Sequence, residues 1–282
     1  MHDLISALQY NKTLQIMDVG ASVINEVPVY KKLLDNGVAH LHAFDGDERQ
    51  IAKMRTVYGD SATVHNAFLF DGTEQQLYLC SPASGMSSVL KPRASALRFF
   101  NGFELFGSVE REERVSTATL DSLTAVPDID FLKMDVQGAE LTILRNGKNK
   151  LQNCLAIQLE ISFICLYEKQ PTFGEIDLWM RSHGYSPHLF IDIKRWSIAP
   201  TVFDGNFRIP GNQLLEADIV YIKDVVDPEA VTSDQLKALC LLSHYCFKSY
   251  DLCGRLILEL EKRNAMEQGS YGQYLSSALH IQ

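Results

Sequence analysis

The sequence predicts an α/β fold built on a mostly parallel sheet, and three observations lead there. Short apolar runs alternate with stretches of helical periodicity over residues 14–67. The alternation breaks over residues 68–127 and resumes at Asp130. Everything beyond Asp227 then reads as helix. A strand, helix, strand succession favours parallel pairing with right-handed crossovers, because a twisted strand feeding a helix packs back onto the sheet in one hand.

Each element has its own signal. Leu14–Val19 is a short buried strand. Residues 27–36 form a helix, with Pro28 suited to its first turn and Asn36-Gly37 to its stop. Residues 40–45 form the second strand. Ile51, Met54 and Tyr58 then recur at helical spacing before Gly59, and residues 62–67 form the third strand. Within the interruption, residues 76–80 and 114–119 read as extra strands. Between them run Ser84-Gly85-Met86-Ser87-Ser88 and Phe99-Phe100. Such an excursion either carries substrate contacts or is packed surface. Strands at 131–135 and 154–161 follow, with helices at 139–146 and 173–183, and final strands at 187–193 and 217–223. In the tail, Thr232 and Gln235 have capping-box spacing. Leu236, Leu239, Leu252, Leu256 and Leu260 mark amphipathic helices. We divide the chain into residues 1–226, with the insertion at about 68–127, and a helical appendage at 227–282.

Composition narrows the function. The chain has 282 residues, 46% apolar and 22% charged, with a formal net charge of −9. A broad basic surface for nucleic acid is not expected, because phosphate binding needs clustered Lys and Arg. Six cysteines form no C-x-x-C pair, and no signal peptide precedes them. Reduced thiols in a cytoplasmic protein follow. No apolar run is long enough to span a bilayer.

Three constellations can carry chemistry. Asp18-Val19-Gly20-Ala21-Ser22 ends the first strand, where ligands bind in an open α/β sheet. Gly20 would allow close backbone approach, and a following helix N-terminus would offer free N–H groups. Asp45, ending the second strand, can accept hydrogen bonds from both hydroxyls of a ribose; it can equally start a turn, a role Asp47 also fits. The third constellation runs from Phe131 through Lys133, Asp135, Gln137 and Gly138 to Glu140. Strand alternation puts Lys133 and Asp135 on one face, at the mouth of the sheet or as a structural pair. The first turn lacks G-x-G-x-x-G, which disfavours a dinucleotide and its pyrophosphate. No G-x-S-x-G elbow is present, against an α/β-hydrolase. No His/Asp/Glu spacing matches a metal set, although carboxylates from separate strands can still converge.

The stretch DIDFLKMDVQGAELTILRNG, which ends at Gly147, resembles the signature of the FkbM methyltransferase family. Other landmarks fall in the same order: MDVGAS, HAFDGDE, Val64-His65-Asn66-Ala67, Ser87-Ser88-Val89 and Leu159-Glu160. The resemblance covers roughly residues 14–223. It implies a class I methyltransferase (Rossmann-like) fold: a seven-stranded, mostly parallel sheet with an antiparallel last strand, here with C-terminal helices added. It implies S-adenosyl-L-methionine as methyl donor and a hydroxyl of a sugar, glycan or natural product as acceptor. Carried over, Asp18 and Gly20, with Ala21 and Ser22 of the same turn, flank the methionine moiety. Asp45 holds the ribose, and Asn66 and Ala67 lie near adenine. Asp135 lies near the reactive end, and Ser87, Ser88 and Gln137 face the acceptor. Gln137 departs from the family's Glu, and Gln neither accepts a proton nor carries charge. Ser22 replaces Asn, and Asp45-Gly46 replaces Glu-Pro.

Methyl transfer from a sulfonium is an in-line displacement, so positioning supplies much of the catalysis. A hydroxyl acceptor also gains from a general base. Glu160 and Asp135 are the first candidates, with His65 and His42 behind them. A non-catalytic methyltransferase-like domain and a dinucleotide oxidoreductase are the competing readings. The tail can dock on the domain, cover the cleft or form a homodimer. Acceptor choice would reside in residues 68–127 and 197–215.

Overall fold

A computed structural model describes residues 4–21, 27–81 and 84–278. The first part of the chain forms α1 (Leu4–Leu8), β1 (Leu14–Val19), α2 (Lys31–Asp35), β2 (Ala39–Asp45), α3 (Glu48–Tyr58) and β3 (Ala62–Asn66). The interruption holds β4 (Phe68–Leu69), β5 (Glu74–Cys80), α4 (Ala94–Phe99), α5 (Phe103–Phe106) and β6 (Val109–Ala118). Then come β7 (Phe131–Met134), α6 (Glu140–Arg145), β8 (Ala156–Ser162), α7 (Phe173–Ser182), β9 (Tyr185–Trp196) and β10 (Gln213–Lys223). The tail is α8 (Ser233–Leu241), α9 (Tyr250–Lys262) and α10 (Ser270–Ala278).

Seven strands make one sheet in the order β3-β2-β1-β7-β8-β10-β9. The pairs β1–β2, β1–β7, β2–β3 and β7–β8 are parallel, and β10 is antiparallel to both its neighbours. This is the class I methyltransferase sheet with its reversed last strand. Strands β4, β6 and β5 form a separate three-stranded sheet.

Strand alternation divides the core between the two faces of the large sheet. Leu14, Ile16, Val220 and Ile222 pack with α1–α3 and the tail helices. Met17, Val19, Ile219 and Tyr221 pack with α6 and α7. The tail therefore shares a core with the sheet: Leu236, Leu239, Leu256 and Leu260 are fully or almost fully buried there. Thr232 and Gln235 close their capping box at the start of α8.

Three expectations change. The helix at 27–36 shrinks to Lys31–Asp35. Pro28 instead heads a turn, its carbonyl accepting the Lys31 N–H, and Tyr30 is drawn inward to Asp18. The insertion contains α4 and α5, which were not foreseen, because aromatic residues rather than a helical stripe dominate that stretch. Lys133 pairs not with Asp135 but with Asp18, its register partner on β1, at 3.6 Å.

Two loops at the carboxyl ends of the strands are tightly constrained. Gly20 has φ +79°, and a Cβ there would lie 2.0 Å from the Asp135 carbonyl oxygen. The need for glycine is thus set by the neighbouring loop, not by a ligand. Its N–H and that of Ala21 are both taken by the Phe44 carbonyl. After β7 the chain turns through Gln137 at φ +55° and Gly138 at φ +97°. Buried Glu140 holds this turn by accepting the N–H groups of Val136 and Gly138, each at 3.2 Å.

Leu239→Ala should cost roughly 2–5 kcal/mol in urea unfolding, since it opens a cavity between α8 and the sheet. Burial pushes the Glu140 carboxyl from 4.5 up to about 7. The unfolded chain loses that proton first, so stability falls as pH rises from 4.5 toward 7, by up to roughly 3 kcal/mol. Glu140→Gln should flatten the slope in that window while keeping an oxygen for both N–H groups. An unchanged slope would show that Glu140 is not the titrating group.

Candidate active site

The strands β1, β2, β3 and β7 end together, because their registers align Val19 with Phe44 and Met134, and Asp45 with Asn66. Their last side chains and the loops beyond form the rim of a site. Asp18 lies beneath it, 3% exposed. Its Oδ2 accepts the Tyr30 hydroxyl at 2.7 Å, and its Oδ1 is a buried atom without a hydrogen bond, facing the Lys133 ammonium. Burial raises the Asp18 carboxyl, and Lys133 and Tyr30 pull it back. Asp18 in turn holds Lys133 above its ordinary range, against burial.

On the β2 side, Asp45 is half-buried and its Oδ1 accepts the Asp47 N–H at 2.7 Å. Burial raises its carboxyl. Asp45 thus starts the turn and sits on the rim. Asn66 is exposed beside it, and the Ala67 N–H donates to the Asp45 carbonyl. The ring of Phe68 lies over Gly46, filling the space where any side chain would stand. Ser22 falls outside the described residues.

The β7 side gathers the acid–base candidates. Gln137 uses both hydrogens of Nε2, one on Asp135 Oδ1 at 2.8 Å and one on Glu160 Oε2 at 2.7 Å. Its Oε1 accepts the Tyr167 hydroxyl at 2.8 Å. Its backbone carbonyl accepts the hydroxyl of buried Ser88 at 2.8 Å. Gln137 therefore ties together two carboxylates, a phenol and the insertion. Glu160 is deep: its side chain keeps only 10% exposure. Burial, then Asp135 and Glu216, push its carboxyl well above the ordinary range. Lys194 is 3.7 Å from Glu160 and 2.8 Å from Glu216. Burial works against its charge, but Glu216 holds it above the ordinary lysine range.

Asp135, Gln137, Glu160 and Ser88 thus converge, while Ser87 turns to the backbone of Cys80. His42 and His65 lie apart, across β2 and β3. Their rings approach to 3.3 Å, His42 also reaches Gln15, and His65 stacks on Phe44. Burial lowers His42 to about 4. Sequence reasoning missed Tyr30, Tyr167, Lys194 and Glu216. Each comes from a distant segment and carries no local motif.

The arrangement can hold a cation and move a proton. Around Lys133 and Lys194 stand the carboxyl groups of Asp18, Asp135, Glu160, Glu216 and Asp218, more acidic than basic groups among the described residues. Among these residues no cluster of three His, Cys, Asp or Glu side chains is placed to hold a metal ion.

The chain has distant likenesses among solved structures. Magnesium protoporphyrin IX methyltransferase from Synechocystis, solved with S-adenosylmethionine bound, aligns at 11% identity over 78% of each chain, with a TM-score of 0.36. A protein of the NADB-Rossmann superfamily from Streptococcus agalactiae aligns at 14% identity over 100% of this chain and 96% of its own, also at 0.36. No curated protein matches in sequence. The methyltransferase FkbM domain family matches residues 13–187, well over half the chain. That match places the chain in the FkbM methyltransferase family.

Proposed function

We propose that the protein transfers a methyl group from S-adenosyl-L-methionine to a hydroxyl of a sugar, glycan or natural product. The observation that carries this reading is the Gln137 clamp, which holds Asp135 and Glu160 together at the carboxyl ends of the strands.

The residues present fit the cofactor. Asp45 stands on the rim with its carboxylate held by the Asp47 N–H, where it would meet ribose hydroxyls. Asn66, Ala67 and the Phe68 ring border the same rim, where adenine would lie. The surplus of carboxylates around Lys133 and Lys194 suits a positively charged sulfonium. Asp18 would act from beneath, bracing Lys133 and Tyr30 under the Gly20 turn. When bound, the cofactor supplies an activated methyl group, so the protein's task is alignment and proton removal.

In this reading Glu160 takes the acceptor's proton. A raised carboxyl is a stronger base than an ordinary one once ionised, and its desolvated position excludes competing water. Gln137 orients it by donating to Oε2, while Lys194 steadies the charge at Oε1. Neutral Gln137 lets two carboxylates share one neighbour; a third carboxylate there would add repulsion. Tyr167 and Ser88 connect this cluster to the insertion, which would form the acceptor wall.

Calorimetric titration should show binding of S-adenosylmethionine but not NAD, weakened roughly tenfold or more by Asp45→Ala, as expected for loss of charge-assisted hydrogen bonds. Binding of neither would favour the non-catalytic reading. With a hydroxylated acceptor, Glu160→Gln should lower kcat by roughly a hundredfold or more and leave cofactor affinity intact. In the unmodified enzyme, activity should fall as pH drops through a value above the ordinary carboxylate range, because the base must be ionised. An identical pH profile in Glu160→Gln would assign the base elsewhere.

A further inference from the structure

The insertion and the loop between β9 and β10 fold against each other. The Phe99 carbonyl accepts the Ala199 N–H, and Asn101 bonds the carbonyls of Ser197 and Thr201 through its N–H and its side chain. The Trp196 indole donates to the Asn101 carbonyl, and Phe106 packs between Trp196 and Phe207. The interior of this body is aromatic and well packed. Its outside is apolar too. Phe99, Leu105, Ile198, Val202 and Phe203 are 38–73% exposed. A monomer gains nothing from holding such residues in water, and their grouping on one small body marks an interaction surface.

Charge says what it meets. Residues 84–108 and 195–212 carry Lys91, Arg93, Arg98, Arg195 and Arg208 against Glu104 and Asp204, a formal +3 in a chain of net −9. None of the five cations takes part in an ion pair among the described residues. Exposed aromatic and aliphatic side chains set among unpaired cations, on an otherwise acidic protein, match an anionic bilayer surface: the ring and alkyl groups enter the headgroup boundary and the cations meet lipid phosphates. Among the described residues no helix is long and apolar enough to cross a membrane, so the contact would be peripheral.

We propose that this body docks the protein on an anionic lipid surface. Tyr167, which reaches Gln137, lies in the same apolar cluster as Phe100, Phe103 and Trp196. Docking would therefore bring the candidate active site to the bilayer, and the acceptor would be an alcohol carried on or delivered along it. That corollary rests on the methyl-transfer reading; the docking does not.

Flotation with vesicles tests it. The full chain should float with phosphatidylcholine vesicles containing phosphatidylserine, far less with phosphatidylcholine alone, and less as salt is raised. The double substitution Val202→Ser with Phe203→Ser should weaken binding roughly tenfold or more, and Arg98→Glu with Arg208→Glu should do the same by charge alone. Circular dichroism and melting confirm that both variants stay folded, and cofactor titration is read separately. The proposal is overturned if the anionic vesicles capture nothing at low salt, or if neither double substitution changes capture. It is also overturned if sedimentation shows a dimer that both variants dissolve, for the patch then serves a second copy.

Discussion

The site rests on a buried charge pair between neighbouring strands. Asp18 on β1 and Lys133 on β7 are register partners, so parallel pairing alone brings them opposite each other. Neither charge could be taken out of water singly; removing one partner of such a pair typically costs about 3–5 kcal/mol because the other is left uncompensated. Tyr30 completes the arrangement by donating to Asp18, and that contact sets where α2 begins. The floor of the site, the entry into α2 and the spacing of β1 and β7 are therefore one problem with one solution.

Above that floor, two loops lock. Gly20 and the Asp135 carbonyl approach so closely that no side chain fits between them. The turn after β7 then adopts positive φ at Gln137, a conformation that costs a non-glycine residue of order 1–3 kcal/mol. Glu140 offsets this from below through two backbone N–H groups, and Ser88 from the side through the Gln137 carbonyl. The strain has a geometric product: it aims the Gln137 amide between Asp135 and Glu160. An amide at this position bridges the two carboxylates by hydrogen bonds rather than leaving them to repel.

The insertion gives this scaffold its individual character. Its small sheet and two short helices carry Ser88 to the Gln137 turn on one side. On the other they build an aromatic body with Trp196 and Phe207. The same excursion so connects the Gln137 cluster to an exposed, basic and apolar surface.

Sequence by itself determined the layer architecture, since apolar periodicity of two and of 3.6 residues dictates which faces must be covered. It marked the strand ends at Val19 and Asp45, the capping box at Thr232, and Asp135, Gln137 and Glu160 as residues of interest. Those signals are local: a motif, a cap or an alternation can be read within a few positions. Only the tertiary structure decided that Lys133 answers Asp18 rather than Asp135, that Gly20 yields to a neighbouring carbonyl, and that Tyr167, Lys194 and Glu216 join Glu160. Those contacts link residues far apart in the chain, and their partners are chosen by strand order and register, which no stretch of sequence carries alone.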